Sequence, residues 1–137
     1  MMEVGRNYLS WLSGAVVGLF LAVGMLSDVF ACPLISAEKL KNLLKEDKCA
    51  FIIDVRHPFE FSKGHIENAN LIPLDIFDYI YLSGLKNRTI VVYSEEGKRS
   101  EVACKKLQEM GISKIYNLVG GINAWKSLGF PIIHGYR

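Results

Sequence analysis

Thr89-Ile90-Val91-Val92-Tyr93-Ser94-Glu95-Glu96-Gly97-Lys98-Arg99-Ser100 is the stretch on which the reading of the fold turns. The β-branched run Thr89 to Val92 predicts a strand. Glu101 to Met110, with Ala103, Leu107 and Met110 on one stripe and Gly111 behind it, predicts a helix. Between them lies a tight loop whose N–H groups converge at the positive end of the helix dipole, a cradle for an anion or a reactive side chain. The side chain placed in it is the Ser94 hydroxyl, beside the carboxylates of Glu95 and Glu96.

Working outward, Phe51-Ile52-Ile53-Asp54-Val55 is a continuous apolar run of the kind found in parallel strands buried on both faces. Its one polar member, Asp54, stands near the C-terminal end, where ligand-facing residues of open α/β sheets collect. Pro33-Leu34-Ile35 and Leu71-Ile72-Pro73 are short strands, and Lys114 to Leu118 is the last. Ser36 is placed to cap a helix running through Leu40, Leu43 and Leu44 to Lys45. Pro58 suits the first turn of a short helix over Phe59 to Ser62. Asp75 to Tyr81 is expected as a helix with Ile76, Tyr79 and Ile80 on one side, and Ile122 to Leu128 as a closing helix after Gly120-Gly121. Alternating strands and helices at this spacing argue for an α/β domain, with a central parallel sheet flanked by helices on both faces.

The chain has 137 residues, half of them hydrophobic, enough for one compact domain and an extra segment. That segment is N-terminal: Tyr8 to Ser27 carries no charge, and a hydrophobic helix of about 20 residues spans roughly 30 Å, a bilayer core. Residues 1–31 are therefore expected to be a signal peptide or transmembrane anchor, and 32–137 the domain. Three fates fit: an uncleaved anchor, a signal cleaved after Val29-Phe30-Ala31, or lipidation of Cys32, since Val29 to Cys32 resembles the lipobox of bacterial lipoproteins. With Arg6 on the N-terminal side, each puts the domain on the outer side of the cytoplasmic membrane.

From Cys32 onward there are 15 Lys+Arg and 12 Asp+Glu, once Arg6, Glu3 and Asp28 are set aside. This interspersed balance speaks against nucleic acid. Cys32, Cys49 and Cys104 show no metal-ligand spacing, and neither a metal nor a cofactor is expected. In an exported domain Cys49 and Cys104 are available to pair, although sequence does not bring them together.

Three blocks together resemble the rhodanese-like, or sulfurtransferase homology, domain. They are Ile53-Asp54-Val55-Arg56-His57-Pro58-Phe59-Glu60-Phe61 with Gly64-His65-Ile66 and Ala69 to Leu74; the loop Ser94 to Ser100; and Gly120-Gly121-Ile122-Asn123-Ala124-Trp125 followed by Gly129-Phe130-Pro131. The resemblance implies a loop of the form Cys-x-x-Gly-x-Arg-Ser. Gly97, Arg99 and Ser100 match it, and Ser94 stands where the catalytic cysteine belongs. It also implies that Asp54 and Arg56 flank the cradle as a structural pair.

Sulfur transfer requires a thiolate that attacks sulfane sulfur and holds it as a persulfide while cradle N–H groups stabilise the charge. A serine forms no persulfide, and Glu95 and Glu96 are expected to be solvated carboxylates rather than oriented bases. Lys98 and Arg99 would attract an anion, and the two glutamates oppose it. Arg99 is expected to pair with a neighbouring acid. Cys104 and Trp125 are expected in the core, His65 at a turn, and Cys49, His57 and His134 in incidental or surface places. The expectation is a membrane-tethered or exported domain lacking the family's sulfur chemistry. It would meet a protein partner or small ligand at the Ser94 to Ser100 loop. The alternative is an active sulfurtransferase, if Ser94 replaces a natural cysteine or another cysteine serves.

Overall fold

The apolar runs form five short strands, all parallel, in the order β1-β5-β4-β2-β3. The computed structural model describes residues 31–137. Along them come β1 (Leu34–Ile35), α1 (Ala37–Glu46), β2 (Phe51–Asp54), α2 (Pro58–Lys63), β3 (Asn70–Leu71), 3₁₀ helices at Leu74–Tyr79 and Ser83–Leu85, β4 (Ile90–Tyr93), α3 (Lys98–Glu109), β5 (Ile115–Leu118) and α4 (Gly121–Ser127). The apolar run Tyr8 to Ser27, and with it the expected N-terminal helix, lies outside the described residues. Among the described residues no helix is long and apolar enough to cross a membrane.

Side-chain alternation along β4 covers both faces of the sheet. Ile90 and Val92 enter one core with Ile53, Ala103, Cys104 and Leu107, under α3 and the first 3₁₀ helix. Val91 and Tyr93 enter the other with Leu40, Leu118, Ile122 and Trp125, under α1 and α4. Ser36 caps α1 by accepting from the Lys39 N–H. The register Asp54↔Tyr93 between β2 and β4 brings their C-terminal ends level, so Asp54 arrives beside the start of the Ser94 loop.

Two expectations need correction. The segment expected as an α-helix over Asp75 to Tyr81 is a 3₁₀ helix over Leu74–Tyr79. Three residues per turn place Leu74, Phe77 and Ile80 on one line, so Phe77 is buried while Ile76 and Tyr79 face solvent. The second concerns the cysteines. Cys104 is buried as expected, but it is disulfide-bonded to Cys32 (Cα–Cα 6.1 Å) rather than available to Cys49, which is free and exposed. The lead-in to β1 packs against the α3 core, whereas Cys49 precedes β2 at the far end of the strands from the loop. A sulfur held in this disulfide has no valence left for a lipid thioether, so the pairing counts against lipidation of Cys32.

Candidate functional site

The loop leaves β4 at Tyr93 and enters α3 at Lys98, with Gly97 turning the chain at φ 102°. It is clamped from the far side by the first turn of α4: the Ile122 N–H donates to Ser94 O (2.9 Å) and the Asn123 N–H to Glu95 O (3.2 Å). The approach is so close that a Cβ on Gly121 would lie 2.3 Å from Ser94 O, and only glycine fits there.

Ser94 is buried, and the direction of every hydrogen bond around it follows from its partners. Gly97 O can only accept, so the end of the Asn117 amide turned to it is Nδ2 (3.0 Å). Asn117 Oδ1 then faces Ser100 Oγ at 2.6 Å, and Ser100 donates to it. With that proton placed, the 3.1 Å contact between the two hydroxyls runs from Ser94 to Ser100. Ser94 Oγ in turn accepts from the N–H groups of Gly97 (3.0 Å) and Ser100 (3.3 Å). The hydroxyl thus makes one donation and two acceptances, its full capacity. Its proton leads through Ser100 to an amide oxygen, which is not a base at neutral pH.

The charged groups of the loop are also paired. Arg56 is buried against Asp54, with Nε 3.0 Å from Oδ1 and Nη2 2.8 Å from Oδ2; Nη2 also donates to Gly64 O (2.7 Å). Its second carboxylate partner is Glu95, with Nη1 3.2 Å from Oε2. Burial opposes the guanidinium charge, and hydrogen bonding and attraction to Asp54 more than offset it, so its pKa moves upward. Tyr93 is pushed up by burial first and by Asp54 next, and its hydroxyl accepts from the Ile66 N–H (3.1 Å). Arg99 makes a bidentate pair with Glu60 (Nη1 to Oε2 2.8 Å, Nη2 to Oε1 2.7 Å). That hydrogen bonding lowers the Glu60 pKa to about 2.

The structure therefore brings the site residues together in three separate groups: Arg56 with Asp54 and the half-exposed Glu95, Ser94 with Ser100 and Asn117, and Arg99 with Glu60. Glu95 departs from the expectation of a solvated carboxylate: it reaches back to Arg56, 39 residues earlier, because the β2–β4 register sets their chain ends side by side. Among the described residues, Glu96 and Lys98 form no side-chain hydrogen bond or ion pair, and both are exposed. His65 is buried at its turn, bonded to Phe61 O (3.0 Å), and Trp125 is buried with its indole N–H on Pro131 O. Sequence reasoning missed two participants, Glu60 and Asn117. Asn117 carried the signal that singled out Asp54, a polar residue near the end of an apolar strand. Among the described residues no cluster of His, Cys, Asp and Glu is arranged to hold a metal.

An open parallel α/β sheet with a strand–loop–helix cradle at the C-terminal ends of its strands defines a class of small α/β domains. The Rhodanese-like domain model matches residues 36–128, and the chain belongs to that family. It is 33% identical over 99 residues to a sulfurtransferase of Allochromatium vinosum, covering 72% of this chain and 92% of that protein. It is 30% identical over 127 residues to a putative sulfur carrier protein of Bacillus subtilis, covering 90% and 69%. A rhodanese-related protein from Thermoplasma volcanium superposes with a TM-score of 0.67 at 29% identity, over 74% of this chain and 97% of the other.

Proposed function

We propose that this is a membrane-tethered or exported rhodanese-like domain that does not transfer sulfur through a loop persulfide and serves as a binding or regulatory module. The observation that carries the reading is the Ser94 circuit, a saturated hydroxyl whose proton path ends on the Asn117 amide. Nothing in that circuit generates an alkoxide, and no thiol is present in the loop. The disulfide between Cys32 and Cys104 fits an oxidising compartment and supports export.

The paired arginines support the second half of the reading. Glu95 already supplies a carboxylate to Arg56, and Glu60 one to Arg99. An incoming dianion such as thiosulfate would have to displace an internal carboxylate, so the loop favours a partner that contacts it over a small anion that enters it.

The names of the two relatives keep a second reading open: sulfur transfer in a form of this chain with cysteine at position 94. One assay series separates the two. The chain as it stands is expected to give no thiosulfate:cyanide turnover. Ser94→Cys is expected to remain weak, and Ser94→Cys with Glu95→Ala to gain activity as Arg56 is released. Turnover by the unaltered chain at the rate of active relatives would sink the proposal.

A further inference from the structure

Lys41, Lys45, Lys48 and Arg88 line a groove of about 540 Å³ on the α1 and α4 face of the sheet, at the N-terminal end of β2. The Ser94 loop lies at the opposite, C-terminal end of the strands. The floor of the groove is apolar, formed by Leu44, Ile52, Ile66 and Trp125 of one core cluster. Its origin is the unequal start of two neighbouring strands. β2 begins at Phe51, whereas β3 begins at Asn70, which is level with Ile53. Phe51 and Val55 donate to Thr89 O and Tyr93 O on the β4 side. The Ile52 N–H is therefore turned the other way, where β3 has no residue to receive it.

The cations of the groove are held in place without counter-ions. Arg88 Nε donates to Cys49 O (2.7 Å), and its guanidinium carbon lies 5.1 Å from the centre of the Phe51 ring. Among the described residues its two terminal nitrogens form no hydrogen bond, so the planar fork is open to a carboxylate. Lys41 Nζ rests 4.1 Å from the centre of the Phe130 ring. Lys45 follows one turn along α1, and Lys48 folds back to Leu44 O (3.3 Å). Two carboxylates share the rim, Asp47 and Glu67, and Asp47 Oδ1 already accepts from the Cys49 N–H (2.9 Å). Among the described residues none of the four cations is within ion-pair distance of an acid. This is the reverse of the Ser94 loop, where both arginines hold a carboxylate.

We infer that this groove binds a small amphipathic carboxylate, with its charge held by Arg88 and the lysines of α1 and its apolar body laid on Ile52, Ile66 and Trp125. The guanidinium fork donates to two coplanar oxygens at once, the geometry a carboxylate offers. The volume is that of a small-molecule site, and an apolar floor with a few charged groups at its rim is the usual composition of one. A bare inorganic anion would leave the floor uncovered. A neutral apolar molecule would leave the cations without a partner. The inference does not depend on what Ser94 does.

The test follows amide and indole NMR signals of the full chain in phosphatidylcholine nanodiscs as naphthoate is added. Naphthamide, the same bicycle without the charge, is the control. Saturable shifts at the Ile52 amide and the Trp125 indole N–H are expected, with a Kd of about 1 mM or tighter. Naphthamide is expected to bind at least about tenfold more weakly, and Arg88→Gln to weaken naphthoate by a similar factor. Because Arg88 also touches Cys49 and Phe51, the exposed Lys45→Gln is measured beside it, with a weakening of about twofold expected. Equal affinity for naphthoate and naphthamide overturns the proposal. So does naphthoate binding that neither variant weakens, and so does a titration without saturation up to about 10 mM. Shifts confined to the Gly97 and Ser100 amides overturn it as well, because they place the carboxylate in the Ser94 loop.

Discussion

Arg56 and Arg99 both flank the Ser94 loop and both are paired with a carboxylate, yet they belong to different physical regimes. Arg56 comes from the β2–α2 connection and is 1% exposed against an Asp54 that is 0% exposed. Arg99 comes from the first turn of α3 and is 32% exposed against a Glu60 that is 28% exposed. The inner pair cannot lose a member without leaving a charge in the core. The outer pair can exchange its partner for water at small cost. The loop is thus anchored on its inner side and replaceable on its outer side. A ligand that competes for a guanidinium should take Arg99 before Arg56.

Three experiments bear on this contrast. The largest effect is expected for Arg56→Met, which strands the Asp54 carboxylate. Urea unfolding should show a loss of about 3–5 kcal/mol, and a loss below about 1 kcal/mol would show that the inner pair is not structural after all. Ser100→Ala comes next. It leaves Asn117 Oδ1 without a donor and Ser94 without an acceptor, for about 1–3 kcal/mol by the same measurement; a neutral result would mean the circuit is not formed in solution.

Glu60→Gln is the smallest, about 1 kcal/mol or less at neutral pH. Its signature lies in acid. The Glu60 pKa is lowered to about 2 in the folded chain from 4.5, so its contribution is complete above the unfolded value and disappears as pH falls toward 2. The difference in melting temperature between wild type and Glu60→Gln should narrow between pH 5 and pH 2, by roughly that contribution. A constant difference would place the stabilisation elsewhere.

Much of the inner region was legible in sequence because it is local. Asp54 and Arg56 are two residues apart in a strand end, and the strand, loop and helix from Thr89 to Met110 are contiguous. Glu60 and Glu95 were harder to place, because each meets its arginine across 39 residues and only the strand register brings them together. The Cys32–Cys104 disulfide was not foreseen for a similar reason: nothing in the spacing of three cysteines says that the lead-in to β1 packs against α3. The 3₁₀ helix was misread through its period. Counting by 3.6 put Ile76 and Tyr79 inside, and three residues per turn put Phe77 there instead. Asn117 was legible by the same rule that found Asp54.

The strand order has a consequence for how the domain comes into being. β1 has one neighbour, β5, and is held there by Asn117 N–H to Pro33 O and Val119 N–H to Ile35 O. A chain made or exported from its N-terminus presents its first strand more than 80 residues before the strand that receives it. β1 has nowhere to pair until Leu118 has emerged, and the Ser94 loop is not clamped until α4 follows. Sequence-distant pairing of this kind slows folding. The pairing of β1 and the clamping of the loop that would meet a partner are therefore late events, completed only when nearly the whole domain has emerged.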